Sequence, residues 1–304
     1  MIHRKILKNT EKLGAFEVLL GATMISFSGV YVKLAHVGPT VAGFYRVFFG
    51  GVLLCIIVFL KQDTLWKNFP TFSFGAFSGF IFALDLFVWH KSIHYIGPGL
   101  ATVLANFQVF FLALIGILVL KEQIRLTLIL AIPLAMVGLV MVVGIDWNGL
   151  EQNYKYGLFL GLATAVCYTA FVLALRKLQS SDIPLSPMAN LFHVSVFSAI
   201  FLGAAASHQG ESFSIPDIQS CLSLVAYGLF SQVFGWALIS RGLPKIKASL
   251  TGLLLLLQPS LAFIWDIIFF KRETDLIGGI GAVLTLGAIC LGTTNNSKKR
   301  IETD

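Results

Sequence analysis

The sequence predicts an all-α polytopic membrane protein whose ten transmembrane helices form two inverted five-helix repeats. Three observations carry that reading. Of 304 residues, 57% are hydrophobic and only 12% charged, with a mean hydropathy of +0.84; a soluble domain carries roughly twice that share of charge. Ten apolar runs of spanning length follow one another with short connections. Two stretches about 150 residues apart also rhyme: Asn106-Phe-Gln-Val to Leu120-Lys-Glu-Gln123, and Leu257-Gln-Pro-Ser to Phe270-Lys-Arg-Glu-Thr274. The 27 Phe and 28 Gly agree, since Phe suits lipid contact and Gly lets helices approach closely.

The runs fall at 14–35, 39–60, 71–91, 97–119, 126–145, 156–175, 187–207, 218–240, 246–270 and 276–293. Each approaches the ~20 residues that a helix needs to cross a hydrocarbon core of ~30 Å. The first follows a basic stretch (Arg4, Lys5, Lys8, Lys12) and so resembles a signal peptide. It is too long for that and further spans follow it, so an uncleaved first helix is expected. Gly38-Pro39 opens the second run, Gly97-Pro98 the fourth, and Ser180-Ser-Asp-Ile-Pro184 precedes the seventh. Cys55, Cys167, Cys221 and Cys290 each sit singly inside a run, which points to neither disulfide nor zinc. The net charge of +7 comes mainly from residues flanking spans, a topology signal rather than a nucleic-acid surface.

Orientation follows from Lys and Arg. With the N-terminus inside, 16 of the 22 fall on inner segments: both tails, and the links after spans two, four, six and eight. Both termini are expected in the cytoplasm. Five is odd, so halves spanning 1–147 and 148–304 must be inverted relative to each other. Lys121-Glu122 then faces inward and Lys271-Arg272-Glu273 outward. Inverted repeats place a binding site near the midplane between halves that rock against each other.

Several of these residues resemble the drug/metabolite transporter superfamily, of the type built from two EamA domains. They are Tyr31-Val-Lys-Leu34, Arg46, Gly97-Pro-Gly-Leu-Ala-Thr102, Lys121-Glu122, Lys247-Ala-Ser-Leu250, Gln258-Pro259 and Glu273. The resemblance covers nearly the whole chain. It implies ten helices and a substrate cavity lined largely by spans one, three, four, six, eight and nine. One departure is Gln108, where relatives often carry proline. The repeat register has two solutions: an offset of 150 pairs Gln108 with Gln258, and 151 pairs Glu122 with Glu273.

Ionisable groups inside spans cost roughly 2.5–3.5 kcal/mol each and call for an explanation. Arg46 and Asp85 fall at matched depth in spans two and three, about 10 Å from the outer end. They are read as a buried ion pair or, if the pair opens, as a proton-coupling site. His90, Lys91 and His94 sit at the outer mouth as interfacial anchors, and Glu17 and Asp266 at span ends as snorkelling or capping groups. Asn106 and Gln108 are about 200° apart around one helix, so one faces the cavity and the other a neighbouring helix. Gln108 is taken as the cavity residue. Pro259 frees the carbonyl of Leu255 beside Gln258, a polar spot at midplane. Gln232 with Trp236, and Thr164 with Tyr168, are four apart on single faces. The expected substrate contacts are therefore Trp89, Gln108, Tyr168, Gln232, Trp236, Gln258 and Trp265. Such a set suits an uncharged or zwitterionic organic molecule with an apolar or aromatic body.

A membrane enzyme would show HExxH, GxSxG or a comparable constellation, and none is present; nor is there a Walker motif. The expected function is a secondary transporter exporting a small organic metabolite. Its other partners are membrane lipids and possible protons as coupling ions, with no nucleic acid, cofactor or metal. A non-transporting receptor or scramblase, or a membrane-embedded enzyme, is the alternative. Short loops and tails point to a bacterial inner membrane.

Overall fold

The computed structural model describes residues 2–143, 152–180, 185–271 and 275–293, and every element in them is helical. Ten helices run as α1 (Asn9–Leu34), α2 (Pro39–Leu60), α3 (Phe69–Ile96), α4 (Ala101–Leu118), α5 (Leu126–Val142), α6 (Tyr154–Gln179), α7 (Pro187–His208), α8 (Ile218–Lys245), α9 (Ala248–Phe270) and α10 (Leu276–Thr293). Among the described residues nine are long and apolar enough to cross a membrane, and α5 is shorter but apolar.

Helix starts follow local chemistry. Gly38 is extended ahead of Pro39 at the head of α2. Asn68, Ser186 and Asp217 each accept a hydrogen bond from the backbone N–H three residues on, at α3, α7 and α8. Such caps satisfy amides that the helix cannot pair itself. Asp217 also meets His36 at 2.8 Å, and that hydrogen bond holds its carboxyl below the usual range.

The backbone hydrogen-bond pattern runs helical from Phe69 to Ala105, 37 residues. In a straight helix Ser92 and Leu104 would lie about 18 Å apart. Both instead lie against Gly161 of α6, so the chain doubles back between them and α3 and α4 are separate spans. The packing has a two-fold pattern. Helices α2, α4 and α5 lie against α7, α9 and α10, their own counterparts, while α3 on α6 is matched by α8 on α1. Lys121 and Lys271, 150 residues apart, both adopt left-handed backbone (φ 50°) where α4 and α9 end. That shared geometry favours the 150-residue register, and with it the pairing of Gln108 with Gln258.

Three helices are interrupted. A turn at Phe27 divides α1, one at Asn106–Phe107 divides α4, and one at Leu256 divides α9. Pro259 accounts for the last, since it has no N–H for the Leu255 carbonyl. The break in α4 has no proline; there Asn106 Nδ2 turns back onto the Thr102 carbonyl. Within α8, Tyr227–Gly235 winds as a π-helix.

Close approaches occur where side chains vanish. A Cβ on Gly281 of α10 would lie 2.6 Å from the Gly138 carbonyl oxygen on α5 and 2.8 Å from Val142 N, whereas Gly287 on the same helix meets nothing within 4 Å. Backbone cannot retreat as a flexible side chain can. Gly281→Val should lower the thermal unfolding midpoint of the purified protein, at a cost of about 1–3 kcal/mol. Gly287→Val should leave it nearly unchanged, which separates packing from helix propensity.

Candidate functional site

A cavity of about 380 Å³ lies between the halves and is walled by α1, α2, α3, α4, α6, α8 and α9. At one end are Lys33 and Asp266, which bridge α1 and α9 at 2.7 Å, with Lys33 also over the Phe270 ring. At depth is Trp236, 1% exposed, which meets Phe82 and Phe171 edge-on at 5.7 and 4.8 Å while those two rings stack at 4.5 Å. Phe82 and Trp236 form an apolar floor, with Phe171 packed behind them.

Six of the nine expected site residues line this cavity: Arg46, Asp85, Trp89, Tyr168, Trp236 and Gln258. Gln258 Nε2 reaches toward Tyr168 Oη at 3.4 Å, a long contact linking α9 to α6. The seven walls are the six that the resemblance implied plus α2, which enters through Arg46.

Three expected contacts lie outside the lining, each for a local reason. Gln108 is fully buried and donates to the Gly252 carbonyl at 3.3 Å, so it joins α4 to α9, while Asn106 takes the cavity position. Gln232 accepts from Arg46 Nε at 3.1 Å and donates to Ser195 Oγ at 3.0 Å. The π-helical winding of α8 changes the i, i+4 register, and Tyr227 rather than Gln232 shares the cavity with Trp236. Trp265 donates to Ser26 Oγ at 2.8 Å and stacks on Phe27 at 4.3 Å. The α9 stripe facing the cavity runs through Pro259, Ala262 and Asp266, which leaves Trp265 beside α1.

Arg46 and Asp85 face the same cavity but make no ion pair within 4.0 Å. The reason is bracing. Arg46 donates to Gln232 and to Tyr227 Oη (3.3 Å), and its guanidinium lies over the Phe82 and Tyr227 rings at 5.4 and 5.1 Å. Cation–π contact of this kind strengthens as water is excluded.

At the opposite end of the protein two carboxylates tie helices of the two halves together. Glu17 of α1 meets Lys245 and Arg241 of α8. Glu122, just past α4, accepts from Ala248 N (2.7 Å), Ser249 N (3.3 Å) and Ser249 Oγ (2.9 Å), with Arg176 of α6 at 3.6 Å. An acidic group at a helix N-terminus satisfies free amides and meets the positive end of the dipole. Here a neighbouring helix supplies the cap that α9 lacks. The corresponding Glu273 lies outside the described residues. In Ser249→Cys, removing the cap with Glu122→Ala should speed alkylation of the buried thiol and destabilise the protein by about 1–3 kcal/mol. Unchanged labelling would mean that Glu122 does not help close this end.

Known proteins resemble the chain over nearly its whole length. It is 23% identical over 275 residues to an uncharacterized transporter of Archaeoglobus fulgidus, covering 86% of this chain and 91% of the relative. It is 23% identical over 295 residues to the uncharacterized transporter YetK of Bacillus subtilis, covering 92% and 86%. A solved crystal structure shares the fold with a TM-score of 0.78 at 16% identity, over 94% of this chain and 97% of that one. Residues 12–144 and 155–294 each match the EamA-like transporter family. With both halves matched, the chain belongs to the EamA-like transporter family, an integral membrane protein of the drug/metabolite transporter superfamily.

Proposed function

We propose that the protein is a secondary transporter that exports a small organic metabolite across a bacterial inner membrane, by alternating access between its halves. The observation that carries this is the asymmetry of the interface: a cavity lined from Lys33 and Asp266 down to an aromatic floor, and beyond it an end where Glu17 and Glu122 tie the two halves together. A hollow bounded on one side by breakable polar contacts is what rocking between inverted repeats requires. The distribution of Lys and Arg supports cytoplasmic termini, so the Lys33–Asp266 end faces outward and the carboxylate-tied end faces the cytoplasm. The lining, with Trp89, Tyr168 and Trp236 beside Asn106 and Gln258, suits an uncharged or zwitterionic cargo with an apolar or aromatic body.

A fluorescent protein fused to the C-terminus should be bright, and alkaline phosphatase at the same point inactive. The reverse would invert the orientation. Transport itself is tested by flux in proteoliposomes: loss of flux in Trp236→Ala and Gln258→Ala would support this cavity as the path, and undiminished flux would reject it.

Asp85 is the proposed proton-coupling group. The ionisable groups near it are Arg46 of α2 and Cys167 and Tyr168 of α6. Asp85→Asn should abolish the response of flux to an imposed pH gradient; an unchanged response would remove the proton role and leave exchange or facilitated passage.

A further inference from the structure

We propose that a second hollow, between α6, α7 and α8 at the Glu17 end of the protein, binds a phosphate group carried by an anionic phospholipid headgroup or by a soluble phosphate ester. It shares no lining residue with the cavity between the halves, and the proposal does not depend on transport. Pro187 opens α7 on one side of it, and Pro244 sits in the 3₁₀ turn that closes α8 on the other. Helix ends rather than helix sides therefore border the space. The α7 end is N-terminal, the positive pole of that helix.

The charges around the hollow do not balance. Arg241 and Lys245 are four apart on α8, and both line it. Among the described residues Glu17 of α1 is the one carboxylate in contact with them. It is 5% exposed, accepts a hydrogen bond from Lys245, and lies 3.5 Å from Arg241. One negative charge thus answers two positive ones. Arg241 makes no hydrogen bond among the described residues, and its side chain is more than half exposed. At the head of α7 the Ser186 hydroxyl accepts from Ala189 N at 3.2 Å, so it keeps its own proton to donate.

A guanidinium with free N–H groups, an ammonium, a hydroxyl and a helix N-terminus are all donors or positive poles. They suit an anion with several acceptor oxygens, and the planar fork of arginine matches phosphate. The distribution of Lys and Arg puts this end at the cytoplasmic face, where basic pockets between spans take phospholipid headgroups. Apolar surface for acyl chains is close by: Leu13 and Phe16, 51% and 61% exposed, lie within one turn of Glu17 on α1.

The test is binding to the purified full-length protein after co-purifying lipid has been stripped by detergent exchange. The probes are phosphatidylglycerol and phosphatidylcholine with matched acyl chains, read by native mass spectrometry, and inorganic phosphate and glycerol 3-phosphate, read by equilibrium dialysis. Phosphatidylglycerol retained in preference to phosphatidylcholine identifies a headgroup site. Saturable binding of a soluble phosphate without that preference identifies a soluble ester. In either case Arg241→Gln should weaken the bound probe about tenfold or more. Lys61→Gln removes an exposed cation where α2 ends, on the same side of the membrane but outside the hollow, and should leave binding unchanged. If Arg241→Gln does not fold, Arg241→Lys takes its place, with a larger loss than in Lys61→Gln as the expected result. Equal losses at Arg241 and Lys61 would mean diffuse attraction to a basic face and would overturn the site. So would wild-type affinity in Arg241→Gln, or equal retention of the two lipids with no binding of soluble phosphate.

Discussion

Hydrocarbon offers no partner to a peptide group, so a membrane-spanning backbone must satisfy its own hydrogen bonds nearly everywhere. In this chain the interruptions are therefore informative. The turns in α1, α4 and α9 fall at Phe27, Asn106–Phe107 and Leu256, and residues beside each of them line the cavity. Beside two of the breaks a side chain adds a second hydrogen bond to a carbonyl that a backbone N–H already meets: Asn106 Nδ2 on that of Thr102, and Ser260 Oγ on that of Leu256. The irregular π-helical turn of α8 sits beside the same space. Regular helix against lipid and irregular helix against the cavity are two consequences of one constraint.

Charge obeys the same constraint. At the helix ends, carboxylates find cations or amides: Glu17 with Lys245 and Arg241, Glu122 with the start of α9, and Asp266 with Lys33. These ties cross between helices of the two halves, since α1 and α4 belong to one repeat and α8 and α9 to the other. Ion pairs at a partly wetted boundary are individually weak, as the proposed rocking between the halves needs of its contacts. Arg46 and Asp85 differ, being inside the membrane and fixed apart by packing.

Close helix contacts make that fixity possible. Gly138 meets Gly281 where α5 crosses α10, and Gly50 meets Gln232 and Gly228 where α2 crosses α8. The second crossing presses the Arg46 helix against the residue that braces its guanidinium. Small residues thus set both the helix spacing and, one layer in, the position of a charge.

Composition and periodicity alone determined the helical class and the helix starts, because the bilayer imposes a span length and each end needs a cap that Gly-Pro, Asn, Ser or Asp supplies locally. The rhyme between the Gln108 and Gln258 stretches made the duplication legible, but not its register. Two lysines in left-handed backbone favour one of the two solutions, and backbone conformation is not written in residue type. Aromatic and amide residues one turn apart were legible as a cavity wall at Trp89, Tyr168, Trp236 and Gln258. Gln108, Gln232 and Trp265 lie outside the lining that the same rule would give them, since it assumes an unbroken α-helix. A break at Asn106, a π-helical turn before Trp236 and the seating of α9 against α1 each rotate a side chain by a fraction of a turn. Only tertiary packing decided that Arg46 and Asp85 share a cavity without touching, because that depends on what braces the guanidinium from behind.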